Sequence, residues 1–124
     1  MCMINWTIEF FEDFLPEYEA FSKPVKLELL ANLTLLKKLG PQLGRPHVDT
    51  LKASNHANMK EVRFNADNGV WRVAFAFDTE RKAILLVAGD KTGKSEKHFY
   101  KQLIRKADNR FNKHLLNIKQ GDKA

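Results

Sequence analysis

From Met59 to Phe77 hydrophobic and polar residues alternate with the two-residue period of a β-strand, interrupted once by a turn. In the first half Val62 and Phe64 fall on one face and Glu61 and Arg63 on the other. In the second half Trp71, Val73, Phe75 and Phe77 share a face, while Arg72 lies opposite with Ala74 and Ala76. Asp67, Asn68 and Gly69 tolerate positive φ, so the pattern predicts a tight hairpin that places Arg63 and Arg72 on neighbouring strands. Small alanines beside an arginine leave room for something to approach that face. Ala83 to Ala88 is apolar throughout, as a central strand buried on both faces requires, and Asp78 to Lys82 is the polar turn before it.

The remaining elements follow from the same reading. Met3 to Ile8 alternates, with Ile4, Trp6 and Ile8 on one side, and predicts a first strand in the same sheet. From Glu9 the period becomes helical: Phe10, Phe14, Tyr18 and Phe21 recur every three or four residues, with a break or a restarted turn expected at Pro16. Ser22 can cap a second helix with Pro24 in its first turn and an apolar face of Leu27, Leu30, Leu33 (or Thr34) and Leu36; Lys37, Lys38, Gly40 and Pro41 end it. Gly44 to Asn58 has little periodicity and reads as a basic loop. Ser95 can cap a last helix whose core stripe is Phe99 (or Tyr100), Leu103, Ala107, Phe111 and Leu115. The order β-α-α-β-β-β-α predicts an α+β fold, a single domain over residues 1–118, with Lys119 to Ala124 as a flexible tail.

Composition narrows the setting. A chain of 124 residues has room for one core. The single cysteine, Cys2, excludes a disulfide framework or a cysteine zinc site, and Met1 to Asn5 does not begin a secretory signal. No run approaches the roughly 18 apolar residues of a membrane span, so a soluble cytoplasmic protein without membrane contact is expected. Charge is segregated: residues 1–22 hold five acids (Glu9, Glu12, Asp13, Glu17, Glu19) and no Lys or Arg, whereas all 21 basic side chains lie beyond them among ten acids. Such a basic body attracts polyanions, of which nucleic acid is the commonest in cytosol.

Several chemistries are weighed against the sequence. Ala88 to Ser95, AGDKTGKS, satisfies the loose phosphate-loop pattern, in which backbone amides and a lysine cradle phosphates. It follows an antiparallel meander, however, and no later strand remains to carry a metal-binding acid. His47, His56, His98 and His114 lack ligand spacing, so no metal site is expected, and neither a serine elbow nor a carboxylate pair for glycoside chemistry is present. A basic constellation is left: Arg63 and Arg72 on the open side of the sheet, Lys91 and Lys94 after the third strand, and His98 and Tyr100 where the last helix begins. RNA cuts itself when its 2′-hydroxyl is aligned with the adjacent phosphorus, so an enzyme needs cations for the phosphorane and groups that move protons. Arg72 would stabilise that charge with Arg63 and Lys91 as companions, Glu61 or His98 would accept the 2′ proton, and Tyr100 would stack on a base or assist transfer. Lys52, Lys60, Lys94, Lys97 and Lys101 are the cations expected to hold flanking RNA.

The segments NMKEVRF, GVWRVAFAF, AILLVAGDK and FYKQLIRKAD, with the loop LGRPHVDTLK, resemble the phage-derived, HigB-like branch of the RelE/ParE toxin superfamily over nearly the whole chain. The resemblance implies a RelE/ParE-like fold, a small twisted, mainly antiparallel sheet flanked by helices. It implies the toxin of a type II toxin-antitoxin pair that cuts mRNA in the ribosomal A site without metal or small-molecule cofactor, inhibits translation, and is neutralised by a HigA-like helix-turn-helix antitoxin. Arg72 then matches the family's transition-state arginine and Arg63 a basic strand position before the hairpin. Lys91 stands near the basic residue after the last strand, and Tyr100 near the C-terminal aromatic. Glu61 departs from the pattern, standing where well-known members carry a lysine base. ParE-type relatives share the fold but inhibit DNA gyrase without cutting RNA, and an inactive antitoxin-binding or RNA-binding relic is a further alternative.

Overall fold

The computed structural model describes residues 5–121. The elements run β1 (Thr7–Phe10), α1 (Leu15–Glu19), α2 (Lys23–Leu39), a 3-10 turn (Gly40–Gln42), β2 (Val48–Thr50), β3 (Met59–Ala66), β4 (Gly69–Phe77), β5 (Lys82–Asp90) and α3 (Glu96–Gly121). They form one five-stranded sheet in the order β1-β5-β4-β3-β2. The meander β2 to β5 is antiparallel, and β1 joins the far side of β5 in parallel, a pairing that needs the long crossover the intervening elements supply.

The hairpin forms as its pattern predicts. Ala66 pairs with Gly69 across a two-residue turn in which Asp67 and Asn68 have φ of 52° and 61°, the left-handed conformations of a type I′ turn. Arg63 therefore pairs directly with Arg72, Glu61 with Ala74, and Arg72 with Gly89 on β5. These residues share one face, and α3 lies across it. An added Cβ at Gly89 would come within 2.7 Å of the Phe99 ring, so the small residues of this face are what admit the helix. Trp71, Val73, Val62 and Phe64 line the opposite face toward α2, with Phe21 against Trp71. β5 is buried on both faces, as its continuous apolar run requires, and carries one extra residue where Ala74 and Phe75 meet Val87 and Leu85. The bulged Leu86 carbonyl accepts a hydrogen bond from Arg110 Nη1 at 2.7 Å, which ties α3 to the sheet.

Several of the expected elements differ in detail from those observed. The first strand begins at Thr7 and takes in Glu9 and Phe10, which the helical period had claimed; Met1 to Ile4 lie outside the described residues. α1 is a single short helix that starts near Pro16, so of the two outcomes expected there the restarted turn is the one that forms, as suits a residue with fixed φ and no N–H to donate. The aromatic period there reports a cluster, not a helix: Phe10, Phe14, Tyr18 and Phe21 pack ring against ring. α2 buries Val25, Leu29, Asn32, Leu33 and Leu36, while Leu27 and Leu30 are exposed. A leucine-rich helix offers several apolar stripes, and the sheet selects the one headed by Val25. Finally, the basic loop contains β2, whose three residues are too few for a period to register. α3 runs on through Lys119 to Gly121, into the stretch expected as a tail, and Asp122 to Ala124 lie outside the described residues.

The two leucine positions on α2 separate these readings. Leu29→Ala is expected to destabilise the protein by about 2–5 kcal/mol, whereas Leu27→Ala stays within about 0.5 kcal/mol, in urea unfolding followed by circular dichroism. Equal losses would return α2 to the Leu27 face.

Candidate nucleic-acid interface

Glu61 is the group around which the site is built. It lies on β3, 3 % exposed, with β2 on one side and Ala74 of β4 on the other. A carboxylate in such a place must be met by donors, and three converge on it. Arg63 Nη1 donates to Oε2 at 2.8 Å, and the Tyr100 hydroxyl donates to Oε1 at 2.8 Å. Arg72 Nε lies 3.8 Å from the same oxygen and donates to the Tyr100 hydroxyl at 3.2 Å. Arg72 is itself buried, and its Nη1 donates to the carbonyl of Trp71 at 2.9 Å. Sheet and helix thus meet in a triangle of carboxylate, phenol and guanidinium.

Glu61 and Tyr100 line a cleft of about 430 Å³ together with Arg45, Asp49, Lys52, Arg63 and Glu96, and Arg72 is buried beside them. Lys91 reaches its rim, 2.8 Å from Glu96 Oε1 and 5.7 Å above the Tyr100 ring. Arg45 is held by Asp49 at 2.7 Å. Hydrogen bonding from Lys91, then its charge, holds the Glu96 carboxyl below its ordinary range, and Asp49 is lowered first by Arg45 and then by the Thr50 amide. Burial pushes the Tyr100 phenol up, the hydrogen bond to Glu61 and that residue's charge push it further, and the hydrogen bond from Arg72 opposes them. Tyr100 is therefore a neutral donor at physiological pH.

Of the residues expected from sequence, the structure brings Glu61, Arg63, Arg72, Lys91 and Tyr100 together, with Lys52 on the cleft wall. His98 projects elsewhere: it lines a separate cavity with Lys94 and Phe99. The strand register puts Lys60 on the opposite face from Glu61, where its Nζ donates to Thr50 Oγ1 at 3.2 Å. Lys97 and Lys101 line a neighbouring groove along α3. Arg45, Asp49 and Glu96 were not among the expected site residues. Arg45 and Asp49 arrive with β2, invisible to periodicity, and Glu96 looks like an ordinary first-turn acid. The phosphate-loop match does not form a loop over its first three residues, since Ala88, Gly89 and Asp90 belong to β5; Lys94 Nζ donates to the Asp90 carbonyl at 2.9 Å.

The raised Tyr100 phenol has a sign that can be checked. Its neutral form is favoured by the fold, so the stability it lends is fully present below the ordinary value of 10.0 and is lost as pH rises through the higher folded value. In an ultraviolet absorbance titration, the phenolate component missing from Tyr100→Phe should appear above pH 10. Ionisation of Tyr100 at or below 10 would mean that Glu61 does not accept its proton in solution.

Comparisons with known proteins bear on the family and the fold. A family model described as "Phage derived protein Gp49-like (DUF891)" matches residues 16–112. The chain is 42% identical over 88 residues to the candidate toxin HigB2 of Mycobacterium tuberculosis (strain ATCC 25618 / H37Rv), covering 70% of this chain and 43% of that protein. It is 42% identical over 100 residues to the candidate toxin HigB3 of the same organism, covering 77% of this chain and 85% of that protein. The chain therefore spans under half of one relative and most of the other. A free-state structure of a double-arginine mutant of the E. coli toxin RelE superposes with a TM-score of 0.59 at 14% identity, over 82% of this chain and 96% of that one, which bears on fold alone. With the family model covering most of its length and HigB3 matched nearly end to end, the chain belongs to the phage-derived Gp49-like family, in its HigB-like branch, and carries the RelE fold.

Proposed function

We propose that the chain is the toxin of a type II toxin-antitoxin pair, an endoribonuclease that cuts translated mRNA in the ribosomal A site and so stops protein synthesis. The observation that carries this reading is the triangle of Glu61, Tyr100 and Arg72, of which Glu61 and Tyr100 line an open cleft with Arg45, Lys52 and Arg63. Kinship with HigB2 and HigB3 supports the toxin class, and a HigA-like helix-turn-helix antitoxin is the expected partner. Action in the cytoplasm on ribosomes follows from the same reading.

The bond changes and proton transfers of the cut balance between the RNA, held on the ribosome, and this chain's side chains. The 2′-oxygen bonds to the adjacent phosphorus as the bond from phosphorus to the 5′-oxygen breaks, leaving a 2′,3′-cyclic phosphate and a 5′-hydroxyl. The incoming phosphate competes for Arg63, which is the more exposed partner of Glu61, and draws it from the carboxylate. Glu61 is thereby freed to take the 2′ proton while Arg63, Arg72 and Lys91 balance the charge growing on the phosphorane oxygens. Tyr100, kept protonated by its surroundings, gives its proton to the departing 5′-oxygen. Because Tyr100 and Glu61 are hydrogen-bonded to each other, the proton returns across 2.8 Å and both groups are reset. Glu61 is preferred to His98 as base because His98 lines a different cavity.

Induced expression followed by primer extension on translated and untranslated copies of one message tests the reading. Cuts confined to the translated copy are expected. Arg72→Ala should lose at least about a hundredfold in cleavage while remaining folded, since Arg63 still pairs with Glu61. Intact RNA with double-strand DNA breaks would instead mean gyrase poisoning, and intact RNA and DNA an inactive relic.

A further inference from the structure

A second groove, of about 600 Å³, runs beside the cleft between α3 and the loop that joins β2 to β3. The two share Ala53, Tyr100 and Ile104, so the groove begins where the proposed reaction centre ends. Its floor is apolar, made by Ile104 and the Tyr100 ring, and Asn55 and Asn109 bring amide groups to its rim. Lys97, Lys101 and Arg105 follow one another at four-residue spacing along the helix, all exposed, and none of them forms a salt bridge among the described residues. In and beside the cleft, by contrast, Arg45, Arg63, Arg72 and Lys91 each stand against an acid, and of the cations on its wall Lys52 alone forms no salt bridge among the described residues.

The one acid in the groove is already occupied. Asp108 is buried, and it accepts hydrogen bonds from Ser54 Oγ at 2.5 Å and from the Asn55 amide at 3.0 Å. One turn further along α3, Asn112 Oδ1 lies 2.8 Å from His56 Nε2. These contacts fasten the loop to the helix and make it a fixed wall. What is left facing solvent is a flat apolar strip, amide donors and acceptors, and a row of unpaired cations. A nucleobase on the strip with its phosphates along the row satisfies all three.

We infer that this groove is a nucleotide subsite of the nuclease, holding single-stranded RNA that flanks the cleaved phosphate, with Lys101 and Arg105 on its backbone. The inference rests on the proposed function for the identity of the ligand, but its readout is binding. Fluorescein-labelled hexauridylate and diuridylate, and an unlabelled polyphosphate competitor of matching charge, would be titrated against the full chain across a range of KCl concentrations. Removing both cations in Lys101→Ala/Arg105→Ala should weaken hexauridylate about tenfold and lower the slope of log K against log salt by about 1.4, at roughly 0.7 per phosphate contact. Diuridylate, which fits the cleft alone, should change little, and polyphosphate should compete poorly because it has no base. An unchanged slope, or polyphosphate that competes as well as RNA, would overturn the subsite and leave only a basic surface. Failure of the two readings is distinguishable. A wild-type chain that cuts no message but keeps this binding signature retains the subsite and loses the nuclease. One that cuts message without the signature does the reverse.

Discussion

A carboxylate sealed between a strand and a helix costs several kcal/mol unless donors meet it, and this fold is arranged so that they do. Glu61 sits on β3, next to the edge strand β2, and its two oxygens are taken by Arg63 and by Tyr100, which in turn receives Arg72. The register of the hairpin is therefore fixed twice, once by the type I′ turn and once by the need to bring both arginines to one acid. The angle of α3 is constrained as well, because Tyr100 must reach Glu61 while Phe99 seats over Gly89.

The same arrangement explains how charge is distributed. Three of the five N-terminal acids, Glu12, Asp13 and Glu17, face the C-terminal half of α3. Glu17 grips Arg110 at 2.6 Å, and Glu12 and Asp13 approach Lys113, so α1 and the turn before it set acids against two cations of the C-terminal half of α3. The N-terminal half of the helix keeps Lys97, Lys101 and Arg105 unpaired, beside the cleft. A long amphipathic helix thus anchors at one end and offers its charge at the other. Where His114 meets Asp78 at 2.9 Å, the turn between β4 and β5 is fastened to that anchored end.

Much of this was legible in the residues themselves. The alternation of Val62 to Phe64 and Trp71 to Phe77 gave strands, faces and hairpin, and hence the pairing of Arg63 with Arg72. The stripe Phe99, Leu103, Ala107 and Phe111 gave the helix that covers them. What escaped was short or degenerate. β2 has three residues, too few for a period, and it brings Arg45 and Asp49 to the site. α2 is so rich in leucine that packing, not pattern, decides which stripe is buried. The role of Asp108 rests on a contact with Ser54 more than fifty residues away, which local reading does not reach. His98 and Tyr100, two apart on a helix, point to different cavities, a distinction that a cluster defined by chain position misses.

The central claim is that Glu61 works as the proton acceptor, beyond its part in holding sheet and helix together. Glu61→Gln preserves the volume and can still accept from Arg63 through its one oxygen while its amide donates to the Tyr100 hydroxyl, but it removes the basic charge. The most direct measurement is therefore the single-turnover rate of message cleavage on programmed ribosomes by this variant, with circular dichroism and thermal unfolding to establish that it is folded. The account predicts a folded protein whose rate falls by about a hundredfold or more. A folded Glu61→Gln chain that cuts message at the wild-type rate would contradict it.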